Sequence, residues 1–277
     1  IYELVKPDAF QAMVDAATRE QLPIAAHIPL SMRADTAGPL VDSMEHLRNI
    51  EIACADNAEE LHGLRTHTLD QPGTRSGHEV RSHLHSSQRP LALETADPKS
   101  DRCQRVIQTL TNTIQVPTLR LNTITRYSPT LRNDWLIHLE RLPKGLAKDW
   151  RESADYWATR PSALGYLMSD WSLGLVAAMQ QQDVPIGAGT DTPIAQAIPG
   201  YSLHTELERL VDAGLTAQQA LFAATVRPAE FFKLSGSMGQ ISAGMEADLV
   251  LLRKNPLVDI RHSRSIEAVI SNGIRVR

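Results

Sequence analysis

The chain has 277 residues, and its 28 basic and 32 acidic side chains give a net charge of −4. This length can bury a large core, so we expect one large domain or one domain with an appendage. The nearly balanced charge offers no basic patch for nucleic acid, and no apolar run approaches the ~18 residues of a membrane span. The two cysteines lack a CxxC spacing, so their pairing in a disulfide stays open.

The first elements alternate between helices and short strands. Apolar and small residues at helical spacing predict a helix over residues 7–21. The apolar run LPIAAHIP, residues 22–29, is too short for a helix and predicts a buried strand. Helix-then-strand patterns recur at residues 37–47, at 103–114 with 116–124, and at 171–183 with 184–191. Helices that alternate with short apolar strands are typical of parallel βαβ units.

Two segments interrupt this alternation. Residues 62–101 are polar, rich in histidine and arginine, and have no clear apolar period. We interpret them as an insertion over one end of the sheet. Residues 143–170 carry Trp150 and Trp157 and predict a second, helical insertion.

The pattern changes after the last predicted strand. Residues 202–232 predict two amphipathic helices, with Gly214 suited to a helix stop and Thr216 to a helix cap. Short strands separated by turn residues follow, and Asn272-Gly273 is a strong hairpin signal. The sequence therefore predicts a small β unit after an α/β body.

Three polar residues stand where predicted strands end: His27, His46 and Asp191. In a parallel α/β barrel the carboxyl ends of the strands converge at one mouth, where active sites are built. Neutral imidazoles bind Zn²⁺ and similar metals, and a carboxylate completes such a site or acts as a base. Each residue alone also fits a structural role, as a hydrogen-bonded core histidine or, for Asp191, as a helix cap.

Several stretches together resemble the metal-dependent amidohydrolase superfamily, especially its imidazolonepropionase-like and dipeptidase-like members. They are AAHIP, SMEHL, GAGTDTP, GYSLHTELERLVDAGLTAQQALFAATVRPAEFF and GQISAGMEADLVLL. The resemblance covers nearly the whole chain and is weakest at residues 62–101 and 143–170. It implies an α/β fold in which residues 1–235 form the C-terminal part, strands 5–8, of a (β/α)₈ TIM-type barrel. The chain end, residues 236–277, would contribute to a small β-sandwich.

The resemblance also implies a metal site. His27 would end the fifth strand and His46 the sixth, and both would bind the second metal. Asp191 would end the eighth strand and contact the first metal and the attacking water. One or two divalent ions, with zinc expected, would activate water for attack on a small amide, cyclic amide or dipeptide-like substrate. Asp191 would accept a proton and pass it to the leaving amine. The oligomeric state stays open, with a homo-oligomer compatible, and neither nucleic acid nor membrane is an expected partner.

Three further residues are expected near the substrate. His204 either lines the mouth near Asp191 or is an exposed residue in the first turn of a helix, and the pattern favours neither. Arg120 and Asn122 alternate with leucines, so they either point into the mouth or lie at its rim. Some dipeptidase-like relatives carry a tyrosine directly after the fifth-strand histidine, where this chain has Ile28. The substrate class therefore stays open.

The family's remaining metal ligands have no clear counterpart. The His-x-His pair His83 and His85 follows both strand-end histidines and lies in polar sequence, so it is not expected to bind catalytic metal. The family's bridging carboxylated lysine is expected directly before Ile1, which would make Ile1 an internal residue of the natural protein. Lys6 would then lie on a loop near the first helix and would not be a metal ligand. The localisation stays open.

Two classes of function follow. The first is an amidohydrolase that cleaves a C–N bond, or a hydrolase of the same fold that acts on ester, lactone or phosphoester bonds. The second is a noncatalytic, hydrolase-like binding protein that has lost its first metal site. The enzyme is favoured because both histidines and the proton-handling Asp191 are present, and metal analysis would distinguish the two classes.

Overall fold

The computed structural model describes all 277 residues, which form two compact units. Unit 1 comprises residues 1–117 and 174–186, and unit 2 comprises residues 118–173 and 187–277. Each unit combines helices with a three-stranded sheet, so the α/β class predicted from the sequence is confirmed. No helix is both long and apolar enough to cross a membrane.

Unit 1 combines helices with a parallel sheet. The helices of residues 1–117 are α1 (Pro7–Arg19), α2 (Ala34–Ala37), α3 (Ile50–Cys54), α4 (Ala58–Asp70), α5 (Gly77–Leu93) and α6 (Asp101–Thr109). The strands are β1 (Ala25–Ala26), β2 (Ser43–Glu45) and β3 (Ile114–Val116).

Unit 2 is mostly helical. Its helices are α7 (Leu119–Asn122), α8 (Asn133–Leu139), α9 (Lys144–Ala158), α11 (Tyr201–Asp212), α12 (Ala217–Ala224) and α13 (Val226–Phe231). Helix α10 (Ala163–Gln181) begins in unit 2 and ends in unit 1. The strands β4 (Leu249–Leu252), β5 (Ile266–Ser271) and β6 (Ile274–Arg275) form an antiparallel sheet in the order β4-β5-β6.

The parallel sheet of unit 1 has the order β1-β2-β3 and continues on both sides. Beyond β3, Gln115 forms a parallel bridge to Ile186, and the strand predicted over residues 184–191 is reduced to this bridge. Beyond β1, the backbone nitrogen of Ile1 donates to the carbonyl oxygen of Ala25 at 2.7 Å, and the N–H of His27 donates to the carbonyl oxygen of Ile1 at 3.1 Å. Because all paired strands are parallel, their carboxyl ends lie on one edge of the sheet.

The strand predicted over residues 116–124 is wrong beyond its first residue. β3 ends at Val116, and Leu119–Asn122 form the short helix α7 instead. Pro117 has no backbone N–H to donate to a neighbouring strand, and Thr118 adopts the left-handed region at φ 49°. The chain therefore turns out of the sheet before the β-branched residues that suggested a strand.

The helix boundaries predicted in unit 2 are confirmed in most places. Thr216 caps α12 in a capping box, and Gly214 follows α11 at φ 101°. The second helix predicted within residues 202–232 is divided, because the backbone of Thr225 leaves helical geometry between α12 and α13. Asn272 and Gly273, both at positive φ, form the predicted hairpin between β5 and β6.

Residues 62–101 fold mainly as α4 and α5, and the buried face of this helical pair is partly polar. Arg65 donates to Gln88 Oε1 and to Asn49 Oδ1, each at 2.8 Å. All three side chains are buried. Val80 and Leu84 are buried on the same face of α5 and pack against Leu30, so this face mixes apolar residues with polar ones that hydrogen-bond to one another. The buried Gln88 interrupts the apolar pattern of this helix in the sequence.

A disulfide between Cys54 and Cys103 links α3 to α6 and settles the pairing that the sequence left open. It closes a loop with a sequence separation of 49 residues. Removing it in a Cys54→Ser/Cys103→Ser variant is expected to lower the free energy of unfolding by about 2–4 kcal/mol, because the unfolded chain gains loop entropy. Urea unfolding checks this, and a reductant should lower the midpoint of the parent alone. If the reductant leaves the unfolding midpoint of the parent unchanged, the Cys54–Cys103 disulfide is contradicted.

Candidate functional site

Two histidines lie side by side at the carboxyl edge of the parallel sheet in unit 1. His27 directly follows β1 and His46 directly follows β2. Their ring centroids are 4.7 Å apart, with the rings nearly perpendicular at 76°. Two imidazoles on one tetrahedral ion with Zn–N of about 2.0–2.1 Å would have ring centres roughly 5 Å apart. The pair is therefore close to the spacing that a shared metal needs.

The proton on His27 is placed by a buried carboxylate. Nδ1 of His27 lies 3.1 Å from Oε1 of Glu3, whose side chain is fully buried. An ionised carboxylate only accepts hydrogen bonds, so His27 donates from Nδ1. The lone pair of His27 is then on Nε2. This is the arrangement in which a carboxylate orients a histidine for metal binding.

Glu3 is held by three more cationic or polar side chains. Arg81 Nε lies 2.6 Å from Oε2, His85 Nε2 lies 2.7 Å from Oε2, and Arg48 Nε lies 3.5 Å from Oε1. Burial alone would raise the pKa of the Glu3 carboxyl. The hydrogen bonds from His27 and His85 and the nearby positive charge outweigh this effect and hold the pKa well below its ordinary value. Glu3 is therefore ionised at neutral pH.

His85 belongs to this network and not to a metal-binding His-x-His pair. Burial lowers the pKa of His85, so its ring is neutral. Its Nε2 faces Glu3, and its Nδ1 lies 3.1 Å from Nη2 of Arg89, which can only donate. Both ring nitrogens are thus engaged, while His83 is exposed. Arg89 continues the chain of contacts to the buried Glu51 at 3.1 Å.

Asp191 lies in unit 2, a few residues before the two backbone carbonyl groups to which Arg120 donates. Its backbone is in the left-handed region at φ 51°. Arg120 donates from Nη2 to the carbonyl oxygen of Ile194 at 2.6 Å and from Nη1 to that of Ala195 at 3.4 Å. Burial lowers the pKa of Arg120, and the charges of Glu206 and Asp191 oppose this. Asp191 and Arg120 therefore interact electrostatically.

Glu206, on α11, fixes the short helix that carries Arg120. Its two carboxyl oxygens accept from the backbone N–H groups of Leu119 and Arg120 at 2.9 and 2.7 Å. The side chain is fully buried, and burial raises the pKa of Glu206 to about 7 against the effect of these hydrogen bonds. No sequence pattern singles out Glu206, because its partners are backbone groups almost ninety residues away. The predicted Asn122 is the last residue of the same short helix.

His204 lies in the first turn of α11 and contacts the short 3-10 helix Ile260–Arg264. Its Nδ1 is 2.9 Å from the hydroxyl oxygen of Ser263. Burial, together with the charge of Arg264, lowers the pKa of His204 to about 4. The ring is therefore neutral and half-buried at neutral pH, and its predicted contact with substrate stays a prediction.

This burial of His204 has a consequence for acid stability. A histidine with a lowered folded-state pKa stabilises the protein fully above its unfolded value near 6.5, and this contribution is lost as the pH falls towards about 4. His204→Asn is therefore expected to flatten the decline of the free energy of unfolding between these two pH values. Urea unfolding across this range checks it, with exposed His67→Asn as the control. A decline as steep as the parent's would contradict the expectation.

The two strand-end histidines fit a divalent metal as part of a ligand set. Imidazole nitrogen is a preferred zinc ligand, and the Glu3 contact leaves Nε2 of His27 available. Among the 277 residues no three or more His, Cys, Asp or Glu side chains group as a metal site. The structure brings His27 and His46 together in unit 1 and groups Asp191 with Arg120 in unit 2. Lys6 lies at the N-terminal boundary of α1.

Comparison with protein families connects the C-terminal part of the chain with one family. Residues 167–276 match the sequence model of the amidohydrolase family. This segment includes Asp191, His204 and all three strands of the antiparallel sheet. A search of curated protein sequences found no match.

Solved structures share the fold of the chain. A bottromycin amidohydrolase superposes with a TM-score of 0.67 at 20% identity, over 98% of this chain and 54% of that chain. An ochratoxinase from A. niger gives 0.57 at 19%, over 99% and 46% of the two chains. A Xaa-Pro dipeptidase with bound methionine gives 0.56 at 19%, over 98% and 49%. The chain thus spans about half the length of these relatives. It has their fold, and residues 167–276 match the amidohydrolase family.

Proposed function

We propose that this protein is a metal-dependent amidohydrolase that cleaves a C–N bond in a small amide, cyclic amide or dipeptide-like molecule with activated water. The observation that carries the proposal is the pair of His27 and His46 at the ends of neighbouring parallel strands, with Glu3 fixing the proton on His27. The amidohydrolase match over residues 167–276 and the fold shared with amidohydrolases support the same class of reaction.

Of one or two divalent ions, with zinc expected, His27 and His46 would bind the second metal, and Asp191 would contact the first metal and the attacking water. A divalent cation in such a site lowers the pKa of bound water towards ~7 and polarises the scissile carbonyl. Glu3 accepts a hydrogen bond from Nδ1 of His27 and would thereby leave Nε2 for the metal. A hydrogen bond of this kind also raises the basicity of the ligand.

Asp191 would handle the proton of the reaction. Its carboxylate would take a proton from the attacking water and give it to the leaving amine. Arg120 supports this role because it ties down the carbonyls of Ile194 and Ala195 and so restrains the segment that follows Asp191. A restrained carboxylate transfers a proton faster than a mobile one, since less orientation is lost in the transition state.

Arg120, Asn122 and His204 would contribute to substrate binding. Arg120 and Asn122 lie on α7, which follows the carboxyl end of β3, and loops in this position build substrate sites in parallel α/β enzymes. Arg120 would act mainly through the loop that it holds. His204 is neutral and offers Nε2 for a hydrogen bond, since Nδ1 faces Ser263.

The proposed architecture is the C-terminal part of a (β/α)₈ barrel over residues 1–235 and part of a β-sandwich over residues 236–277. The parallel segments around β1, β2 and β3 support the barrel. The antiparallel sheet β4-β5-β6 supports the sandwich.

Metal analysis and hydrolysis assays of the protein at its full natural length test the proposal. About one or two equivalents of divalent metal are expected, with amide hydrolysis lost on chelation and restored by Zn²⁺. His27→Asn and His46→Asn should each lower the metal content, whereas exposed His67→Asn should not. Metal-free protein without turnover would favour the noncatalytic binding protein. Turnover of esters, lactones or phosphoesters in place of amides would favour a hydrolase of another bond.

A further inference from the structure

Unit 2 contains a large open pocket close to the segment that follows Asp191. Its volume is about 530 Å³, which is within the range of small-molecule sites. Three segments line it: residues 124–131 after α7, residues 154–166 at the α9–α10 corner, and Ala195 with Gln196. The first and last of these follow, along the chain, two adjacent parallel segments of the sheet, and such loops carry substrate contacts in parallel α/β enzymes.

Three large apolar side chains that line the pocket are exposed to solvent. Leu131 is 80% exposed, Trp157 64% and Tyr166 41%. Scattered apolar residues on a surface are ordinary, but several around one concave site indicate a ligand with an apolar body. Aromatic rings also favour a flat ring as their partner, through offset or edge-to-face packing.

The charge of the pocket is positive, although the whole chain carries −4. Arg126 and Arg160 line it, and no aspartate or glutamate does. Arg126 is paired with Asp170 at 2.6 Å outside the lining. Arg160 contacts the ring and carbonyl of Tyr156 and the hydroxyl of Thr159, and these groups are all neutral. The guanidinium of Arg160 therefore has its charge available for an anion.

One wall of the pocket is held by hydrogen bonds and is continuous with the Asp191 segment. Gln196 donates to Ser153 Oγ at 3.2 Å, and its carbonyl accepts from Trp135 Nε1 at 3.4 Å. The carbonyl of Ala195 accepts from Arg120. A ligand in the pocket would thus touch the same short segment whose first residue is Asp191.

We infer that this pocket binds an aromatic or branched apolar group that carries a carboxylate, with Arg160 pairing the carboxylate and Trp157 packing against the apolar body. The inference rests on the proposed function in one respect: it names this group as one end of the amide that is cleaved. A bidentate guanidinium–carboxylate contact fixes orientation as well as charge. It would therefore place the scissile bond at a constant distance from the pocket.

Calorimetric binding of 3-phenylpropanoate to the full-length protein tests the inference without turnover. The matched probes are 3-phenylpropan-1-ol, which keeps the ring and lacks the charge, and acetate, which keeps the charge and lacks the ring. The acid is expected to bind at least about tenfold more tightly than either probe. Equal binding of the alcohol, or no measurable binding of the acid, would overturn the inference.

Variants of the two anchoring residues complete the test. Arg160→Gln should weaken binding of the acid by about ten- to hundredfold, the usual effect of a charge-assisted hydrogen bond, and Trp157→Ala should weaken all ring-bearing probes. Arg151→Gln, at an exposed arginine on helix α9, which ends two residues before Arg160, is the matched control and should change nothing. Unchanged binding in Arg160→Gln would overturn the inference.

The outcomes separate this inference from the proposed function. In the hydrolase, Arg160→Gln should raise KM for carboxylate-bearing amides and leave kcat nearly unchanged. Hydrolysis with an unchanged KM would overturn the pocket assignment alone. Binding of the acid by a protein that hydrolyses no amide would support the pocket and overturn the proposed reaction.

Discussion

Asp191→Asn is expected to lower kcat for amide hydrolysis by about 10²–10⁴, the usual contribution of a positioned acid–base group. Asparagine keeps the size and one acceptor oxygen but cannot take the proton from water or return it to the leaving amine. It also tolerates the left-handed backbone at φ 51°. The loss should therefore appear in turnover and much less in the thermal midpoint.

A neighbouring aspartate provides the control for this variant. Asp183 also has a left-handed backbone, at φ 56°, and directly precedes residues 184–191, for which the sequence predicted a strand ending at Asp191. Asp183→Asn should retain the kcat of the parent, because this exposed carboxylate has no assigned role in the reaction. Turnover of Asp191→Asn within a fewfold of the parent would remove Asp191 from the mechanism.

The placement of the two histidines illustrates what a sequence can indicate. Each directly follows a short apolar run, and parallel strands end at one edge of a sheet, so adjacency of His27 and His46 follows from local pattern plus one topological rule. The structure places their rings 4.7 Å apart. The helix caps and the Asn272-Gly273 hairpin could be predicted from the sequence equally well, because each depends on the chemistry of one or two neighbouring residues.

No sequence pattern indicated the groups that surround these two histidines. Glu3 is a single glutamate in a turn, and its partners Arg81 and His85 come from a helix about eighty residues later. Only the tertiary fold brings them together, and buried polar residues such as Gln88 obscure the apolar period of the segment that supplies them. The misassigned strand at residues 116–124 failed for a different reason: one left-handed residue, Thr118, redirected a sequence with strong strand propensity.

Glu3→Ala is the variant for which we expect the largest loss of stability, about 3–5 kcal/mol in the free energy of unfolding. The side chain is fully buried and accepts contacts from His27, Arg48, Arg81 and His85. Removing the carboxylate leaves partly buried guanidinium groups without their counter-charge, and this desolvation penalty exceeds the worth of the pair itself. Urea unfolding measures the change, and Glu60→Ala, at an exposed glutamate on α4, should stay within about 0.5 kcal/mol of the parent.

The pH dependence of the same variant identifies the cause of its loss. The folded-state pKa of Glu3 lies below its ordinary value of 4.5, so the stability that Glu3 supplies is complete above that value and is lost as the pH falls further. The difference between parent and Glu3→Ala should therefore be constant near neutral pH and shrink in acid. Glu3→Gln should share the instability, because an amide cannot balance the guanidinium charges, and it should also bind metal about 10–100-fold more weakly through misoriented His27. A stability difference that stays constant into strong acid would show that Glu3 acts through packing and not through its charge.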